Sequence, residues 1–339
     1  MPGNKAPYKS KNTQLAVGSE SEQNSTVAPT RVPGIVADAA QMPDPEIDYL
    51  EDRVIGGPRT IFDKRPGQRT YEAGSVTVTP QDGWPFAYLF GKETVNTDED
   101  VDGNSETGKD THVFEVLNDD LPPTFTTEAV YYAPSSSSAD DFVRTFGGCA
   151  VASGTLESDN ESQLTVDLDI YAMSVEPGTT STGSIDVPQT EKWIFSDASS
   201  NLEMFGSSFS RVTDFSLDLD NGLESKYYIE SEQSPDPFEI LYNIAEFSMD
   251  ATISIDDNSI YTELARDSDD QNKFTTSIEF TRPNGDTLRV EATGCEFEDA
   301  PHEIPDDDQT IDVDVSILPE DVTVYVEDSV NPGNGSILA

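Results

Sequence analysis

Residues 274–295 read FTTSIEFTRPNGDTLRVEATGC, and residues 125–149 read FTTEAVYYAPSSSSADDFVRTFGGC. Each stretch opens on Phe-Thr-Thr, alternates like a β-strand, turns, and closes a second such run on Gly-Cys. From Phe to Cys the spacing is 21 residues in one and 24 in the other. A Thr-led acidic run follows each: TVDLDI starts at Thr165, 16 residues past Cys149, and TIDVDV starts at Thr310, 15 past Cys295. Upstream, SVTVT from Ser75 leads through Gln81-Asp82-Gly83 to a short helix over residues 85–90, with Pro85 in the first turn and Gly91 as its stop. ATISI from Ala251 leads in the same way through Asp256-Asp257-Asn258 to a helix over 259–266, with Ile260 and Leu264 on one face behind Asn258 or Ser259 as cap. The chain therefore reads as one module used twice: a strand, a helix, then three strands, with Asn284-Gly285 as a hairpin turn in the second copy. The fold class expected is mainly β with a few short helices. A small sheet with one helix leaves strand edges open, so such modules must pair with each other, within the chain or between subunits.

Alternation in TVDLDI places Val166, Leu168 and Ile170 on one face and Asp167 and Asp169 on the other, and Ile311, Val313 and Val315 stand likewise against Asp312 and Asp314. The plain reading is a half-buried strand with a solvated face. The sharper reading is that the two acidic faces line a shared, wet channel.

Charge sets the class. Among 339 residues, 19 Lys and Arg stand against 66 Asp and Glu, a net charge of −47. Such a surface repels phosphate backbones and anionic headgroups, so tight nucleic-acid and membrane-surface binding are disfavoured. At molar salt the Debye length falls to roughly 3 Å and self-repulsion is largely screened, so the composition reads as halophilic. Sixteen Phe, 12 Tyr and 2 Trp, mostly inside alternating runs, argue against global disorder. The start, MPGNKAPYKSKNTQ, has no apolar stretch typical of a secretory signal, and no run of eighteen apolar residues occurs. Assembly in the cytoplasm of the producing cell is the expectation.

Chemistry offers little. His112 and His302 stand in no catalytic or metal-binding spacing and read as surface or hydrogen-bonded loop residues. There is no GxSxG, no HExxH and no phosphate-cradling glycine loop. Asp98, Asp100, Asp102 and Gly103 imitate the opening of an EF-hand loop, but Lys109 stands where the bidentate Glu belongs, so these aspartates are weak metal candidates. Cys149 and Cys295 are too few for a disulfide framework and read as free thiols. No catalytic residue, cofactor or metal is expected.

Residues 211–229, RVTDFSLDLDNGLESKYYI, with the strand FSMDATISI from Phe247, resemble the major tail tube protein of siphovirus-like tailed viruses. GSVTVTPQDGWPFAYLFGKET from Gly74 and FGGCAVASGTLESDNESQLTVDLDI from Phe146 resemble its first half, and GCEFEDAPHEIPDDDQTIDVDV from Gly294 its second. The likeness runs over residues 36–326. With the acidic composition it points to a haloarchaeal virus.

The resemblance implies duplicated β-sandwich or barrel modules whose sheets continue between subunits into a closed tube, a virion tail component through which the genome passes. It implies tape-measure, tail-terminator and baseplate proteins as partners, DNA in the lumen without specific binding, and no membrane. Two modules per chain favour trimeric, pseudo-sixfold rings over the alternative, a hexamer. Asp167, Asp169, Asp312 and Asp314 become candidates to face the lumen.

Residues 1–45 read as an arm that is extended or disordered until assembly, 46–185 as the first module, 186–327 as the second and 328–339 as a tail. Residues 96–110 read as a polar loop on the outside of the tube. The rival readings are another virion decoration or surface β-sandwich that binds a ligand or calcium, and an enzyme working through carboxylates alone.

Overall fold

In a computed structural model, the residues described are 8–9, 13–38, 40–52, 55, 63–133, 141–160, 162–178, 185, 191–204, 207–209, 212–229, 234–254, 273–299, 312–329 and 335–338. The first half contains β1 (Thr13–Ser19), β2 (Ile35–Val36), β3 (Glu46–Asp52), β4 (Asp63–Thr70), β5 (Gly74–Thr79), α1 (Trp84–Phe90), β6 (Gly91–Glu99), β7 (Ser105–Val116), β8 (Phe125–Tyr131), β9 (Phe142–Asp159), β10 (Thr165–Tyr171) and β11 (Ser174–Gly178). The second contains β12 (Ala198–Met204), β13 (Ser207–Phe209), β14 (Val212–Asp220), β15 (Glu224–Lys226), β16 (Glu239–Leu241), β17 (Glu246–Ser254), β18 (Phe274–Thr281), β19 (Thr287–Asp299), β20 (Asp312–Leu318) and β21 (Asp321–Asp328).

Seventeen strands form one continuous ladder, and β3–β4 and β15–β16 make two separate hairpins. Two long strands account for the continuity. In β9, residues 143–147 pair with β11, Cys149 stands opposite Phe125 of β8, and residues 150–157 pair with β10. In β19, residues 288–293 pair with β21, Cys295 stands opposite Phe274 of β18, and residues 296–299 pair with β20. Each strand changes sheets at its Gly-Cys step, where Gly148 and Gly294 take φ +62° and +65°. Positive φ is open to glycine at low steric cost, so these residues turn the corner, with a small buried thiol beside each.

The principal sheet runs β2–β5–β10–β9–β14–β17–β20–β19, all antiparallel. Strand β14 bonds to β9 on one side and β17 on the other, so the halves read as residues 46–185 and 186–327 share this sheet. The sheets are not closed into a barrel; β2, with Ile35 and Val36 exposed, ends the principal sheet on one side.

Helix α1 lies on that sheet's apolar side, and every residue of it is buried. Gly154 of β9 admits Leu89: a Cβ there would stand 2.8 Å from the Leu89 side chain. Gly91 ends the helix at φ +81°, its N–H donating to Ala87 O, as its sequence position predicts. Trp84, Tyr88 and Phe125 pack edge-on or tilted at 4.8–5.2 Å. The halves are also joined by Arg282, buried in the second half's hairpin turn. It pairs with Asp286, donates to Gln81 O and Glu191 O, and stacks on Trp193 at 4.2 Å. Removing either member of the Arg282–Asp286 pair would leave the other charge buried and unpaired, which is costly.

Four expectations need correction. Part of the arm is already core: Thr13–Ser19 pairs with β8 over seven residues, Ala16 and Val17 are buried, and Glu20 accepts from Thr124, Thr126 and Gly148 N. The end of the tail, residues 335–338, docks against the first half. The polar loop over 96–110 is mostly β6–β7 hairpin, with residues 100–104 between the strands. His112 is a buried strand residue of β7, its Nδ1 2.6 Å from Glu93 Oε1.

Cys149 and Cys295 are both free and buried, and burial pushes their thiols up to about 12 and about 11. The helix over 259–266, His302 and Ile311 lie outside the described residues.

Candidate functional site

The other side of the principal sheet is where the named aspartates meet. Val166, Leu168, Ile170, Val313 and Val315 point into the core, and Asp167, Asp169, Asp312 and Asp314 stand on the solvent side. Asp167 is half-buried and the other three are exposed. The two pairs belong to β10 and β20, four strand spacings apart, roughly 19 Å.

Residues directly opposite in antiparallel strands share a face, so the register gives the rows of this surface. One row reads Thr77, Asp167, Thr155, Asp218, Ser248 across β5, β10, β9, β14 and β17. Another reads Thr165, Glu157, Ser216, Asp250, Ser316, Asp299 across β10, β9, β14, β17, β20 and β19. Acid and hydroxyl alternate without a break in both. A third row, Ser75, Asp169, Ser153, Asp220, Glu246, alternates until its last pair, and a fourth, Asp159, Asp214, Thr252, Asp314, breaks at its first.

The hydroxyls donate to the acids beside them: Ser153 to Asp169 at 2.9 Å, Thr252 to Asp314 at 2.8 Å, Thr165 to Glu157 at 3.3 Å, and Ser316 to Asp250. Thr155 donates to Asp218 and Ser254 to Asp312 in the same way. Like charges directly opposite destabilise a ladder, and a hydroxyl between them both separates and solvates the carboxylates. No Lys or Arg stands in any of these rows. At the rim, burial raises the Tyr171 phenol above its ordinary value, with Glu72, Asp220 and Asp169 adding to the shift.

Sequence reasoning had not named Asp218, Asp250, Glu157 and Asp220 on this surface. Their signal was present in the alternation of FSLDLDNG and FSMDATISI, but which strands lie side by side is not written in alternation.

The weak metal candidates are elsewhere, on the β6–β7 hairpin, and each is engaged separately. Asp98 accepts from Gly108 N, Asp100 from Asp102 N and Asn104 N, and Asp102 from Arg289. The hydrogen bond from Asn104 N, the largest influence, holds the Asp100 carboxyl below its usual range. Lys109, in the place of the missing Glu, bonds to Glu327 at 3.1 Å. No group of three or more His, Cys, Asp or Glu suited to a metal occurs among the described residues.

This surface is a field of spaced carboxylates and hydroxyls set out by the strand register. A family model for phage tail tube proteins matches residues 10–318. The chain belongs to the phage tail tube protein family. It is thus a structural tail tube protein and a component of the virion tail, and the family implies self-assembly into a tube. No curated protein matches the chain. The tail tube match begins inside the segment read as an arm and ends at β20, so β21 and the docked end of the chain lie beyond it. No helix among the described residues is long and apolar enough to cross a membrane.

Proposed function

We propose that the chain is the major tail tube subunit of a siphovirus-like virus of a haloarchaeal host, stacking as rings around the channel that delivers the genome. The observation that carries this reading is the cation-free carboxylate face of the principal sheet. DNA carries one negative charge per about 1.7 Å of axis, so a wall of like charge without Lys or Arg offers it no adhesive well. Asp167, Asp169, Asp312 and Asp314 face that lumen or its water, and the tape-measure protein occupies it before the DNA.

The chain carries two modules, so three chains supply a pseudo-sixfold ring, with a hexamer as the alternative. Supporting this are the equal pairings of Phe125 with Cys149 and Phe274 with Cys295, each followed by a register shift, and the equal neighbours β5–β10–β9 and β17–β20–β19. The edge at β2 is free to continue the sheet into a neighbouring copy, closing the tube wall and removing the edge.

The β3–β4 hairpin forms contacts between copies. Tyr49 and Leu50 are exposed at 51% and 68%, and its base is tied to the body by Arg69 N to Pro235 O and Tyr227 OH to Arg69 O. Residues 53–69 hold five of the chain's 19 cations, which suits an acidic surface on the next copy. Tail-terminator and baseplate proteins meet the two ends of the stack, and assembly takes place in the host cytoplasm.

The test is electron microscopy of the purified protein in molar salt, with rotational averaging of end-on views. Hollow tubes with six lobes and threefold modulation are expected. Monomers at every concentration and salt would remove the tube reading, and a map with the four aspartates outside would remove the lumen assignment.

A further inference from the structure

Residues 335–338 sit in a slot whose polar contacts, among the described residues, come from the first half of the chain. Glu93 of β6, its side chain 1% exposed, points one oxygen at His112 Nδ1, 2.6 Å away. Its other oxygen accepts three donors from the chain end: Ser336 Oγ at 2.5 Å, Ile337 N at 2.7 Å and Leu338 N at 3.1 Å. Across the segment, Ser19 Oγ of β1 donates to Ile337 O at 2.9 Å and accepts from Tyr88 OH of α1 at 2.8 Å. Ile337 and Leu338 pack on the core, and a Cβ on Gly83 would stand 3.1 Å from Ile337 Cδ1.

Burial alone would raise the Glu93 carboxyl. The donors from His112, Ser336 and Leu338 outweigh burial and hold the group below its usual range, so the acceptor is ionised at neutral pH. The slot reads two successive backbone N–H groups, one carbonyl and two apolar side chains. That is recognition of an extended peptide, and it requires no covalent link to the rest of the same molecule.

On the strength of the tube reading above, we infer that this slot is exchangeable: in the assembled tail it takes residues 335–338 of a second copy, and within one chain the same peptide is docked at home. Identical contacts make such an exchange close to isoenergetic. One further feature points to a second copy as the guest. Residues 329–339, SVNPGNGSILA, carry no charged side chain, so the segment can approach another acidic subunit without side-chain repulsion. Asp328 is paired with Asp110, four residues along β7 from the residue opposite Glu93 and one strand further out, a span of roughly 17 Å. The seven steps from Asp328 to Gly335 extend to about 24 Å, enough for the segment to reach the slot of its own chain. The family match stops before this segment.

The experiment uses a chain shortened after residue 334 and a fluorescein-labelled peptide of residues 331–339, read by anisotropy in molar salt. Binding to the shortened chain, at least tenfold weaker with Glu93→Gln and absent with the full-length chain, is expected. If the shortened chain misfolds by circular dichroism, the full-length Ile337→Asp/Leu338→Asp double variant takes its place. No binding to a folded chain with an empty slot overturns the inference.

Exchange is then read by mixing. An affinity-tagged shortened chain, which has the slot and no guest, should retain an untagged full-length Glu93→Gln chain, which has the guest and a weakened slot. Peptide binding without retention means that the tail serves its own chain only, and overturns the exchange. Microscopy of the wild type answers the tube reading separately, because neither the peptide nor the retention assay depends on tubes.

Discussion

Gly148 and Gly294 occupy the same left-handed backbone conformation, at the same Gly-Cys step, with different surroundings. A Cβ on Gly148 would stand 2.7–2.9 Å from Sδ, Cγ and Cβ of Met173, which is itself 2% exposed. A Cβ on Gly294 would meet Glu320, whose side chain is 63% exposed and ion-paired with Lys273, so solvent rather than core lies behind it. The left-handed conformation costs an L-residue roughly 1–2 kcal/mol at either site. Overpacking a closed core adds about 1–3 kcal/mol, and only Gly148 is in a closed core. Gly148→Ala should therefore lower unfolding stability by about 2–5 kcal/mol and Gly294→Ala by about 1–2, measured by urea titration in molar salt. Equal losses would mean that Met173 yields as readily as Glu320.

At the scale of the strand, the hydroxyls of the carboxylate face have a job that alternation alone does not disclose. Ser216 of β14 stands between Glu157 of β9 and Asp250 of β17. Ser216→Asp would set three carboxylates side by side, while Ser216→Thr preserves the spacing and suits a strand. The aspartate variant should lose roughly 0.5–1 kcal/mol at 0.1 M salt, where the Debye length is about 10 Å, and most of that loss should vanish at 1 M salt. Thermal unfolding of the three proteins at both salts reads this directly, and a loss independent of salt would assign the effect to packing.

Strands such as TVDLDI and the helix stopped by Gly91 were legible because one face is buried and the other wet, or because a glycine is required. β1 was not: TQLAVGS has a short apolar run with no period, and its burial comes from β8, more than a hundred residues away. β6 and β7 were read as loop over 96–110 because both faces of the hairpin there are polar, so period 2 leaves no trace. The carboxylate face was half legible. Its four named aspartates follow from alternation, but its continuity depends on β14 joining β9 to β17, a long-range pairing that no local pattern specifies.

For the whole molecule, the −47 charge and the spaced carboxylates pull in opposite directions, and salt decides between them. Cross-strand neighbours on one face are about 5 Å apart and the next acid in a row about 10 Å. At 0.1 M salt the Debye length of about 10 Å leaves those next neighbours in repulsion, and at 1 M the length of about 3 Å separates them electrically. Hydroxyl spacing alone therefore cannot hold the compact state at low ionic strength, and the thermal midpoint should rise steeply between 0.1 and 1 M KCl. Sucrose strengthens burial by exclusion from the surface but screens nothing, so it separates the two causes. If added sucrose at 0.1 M KCl restores the midpoint as fully as 1 M KCl does, the instability lies in insufficient apolar burial. If it restores only a small part, repulsion among carboxylates is what salt removes.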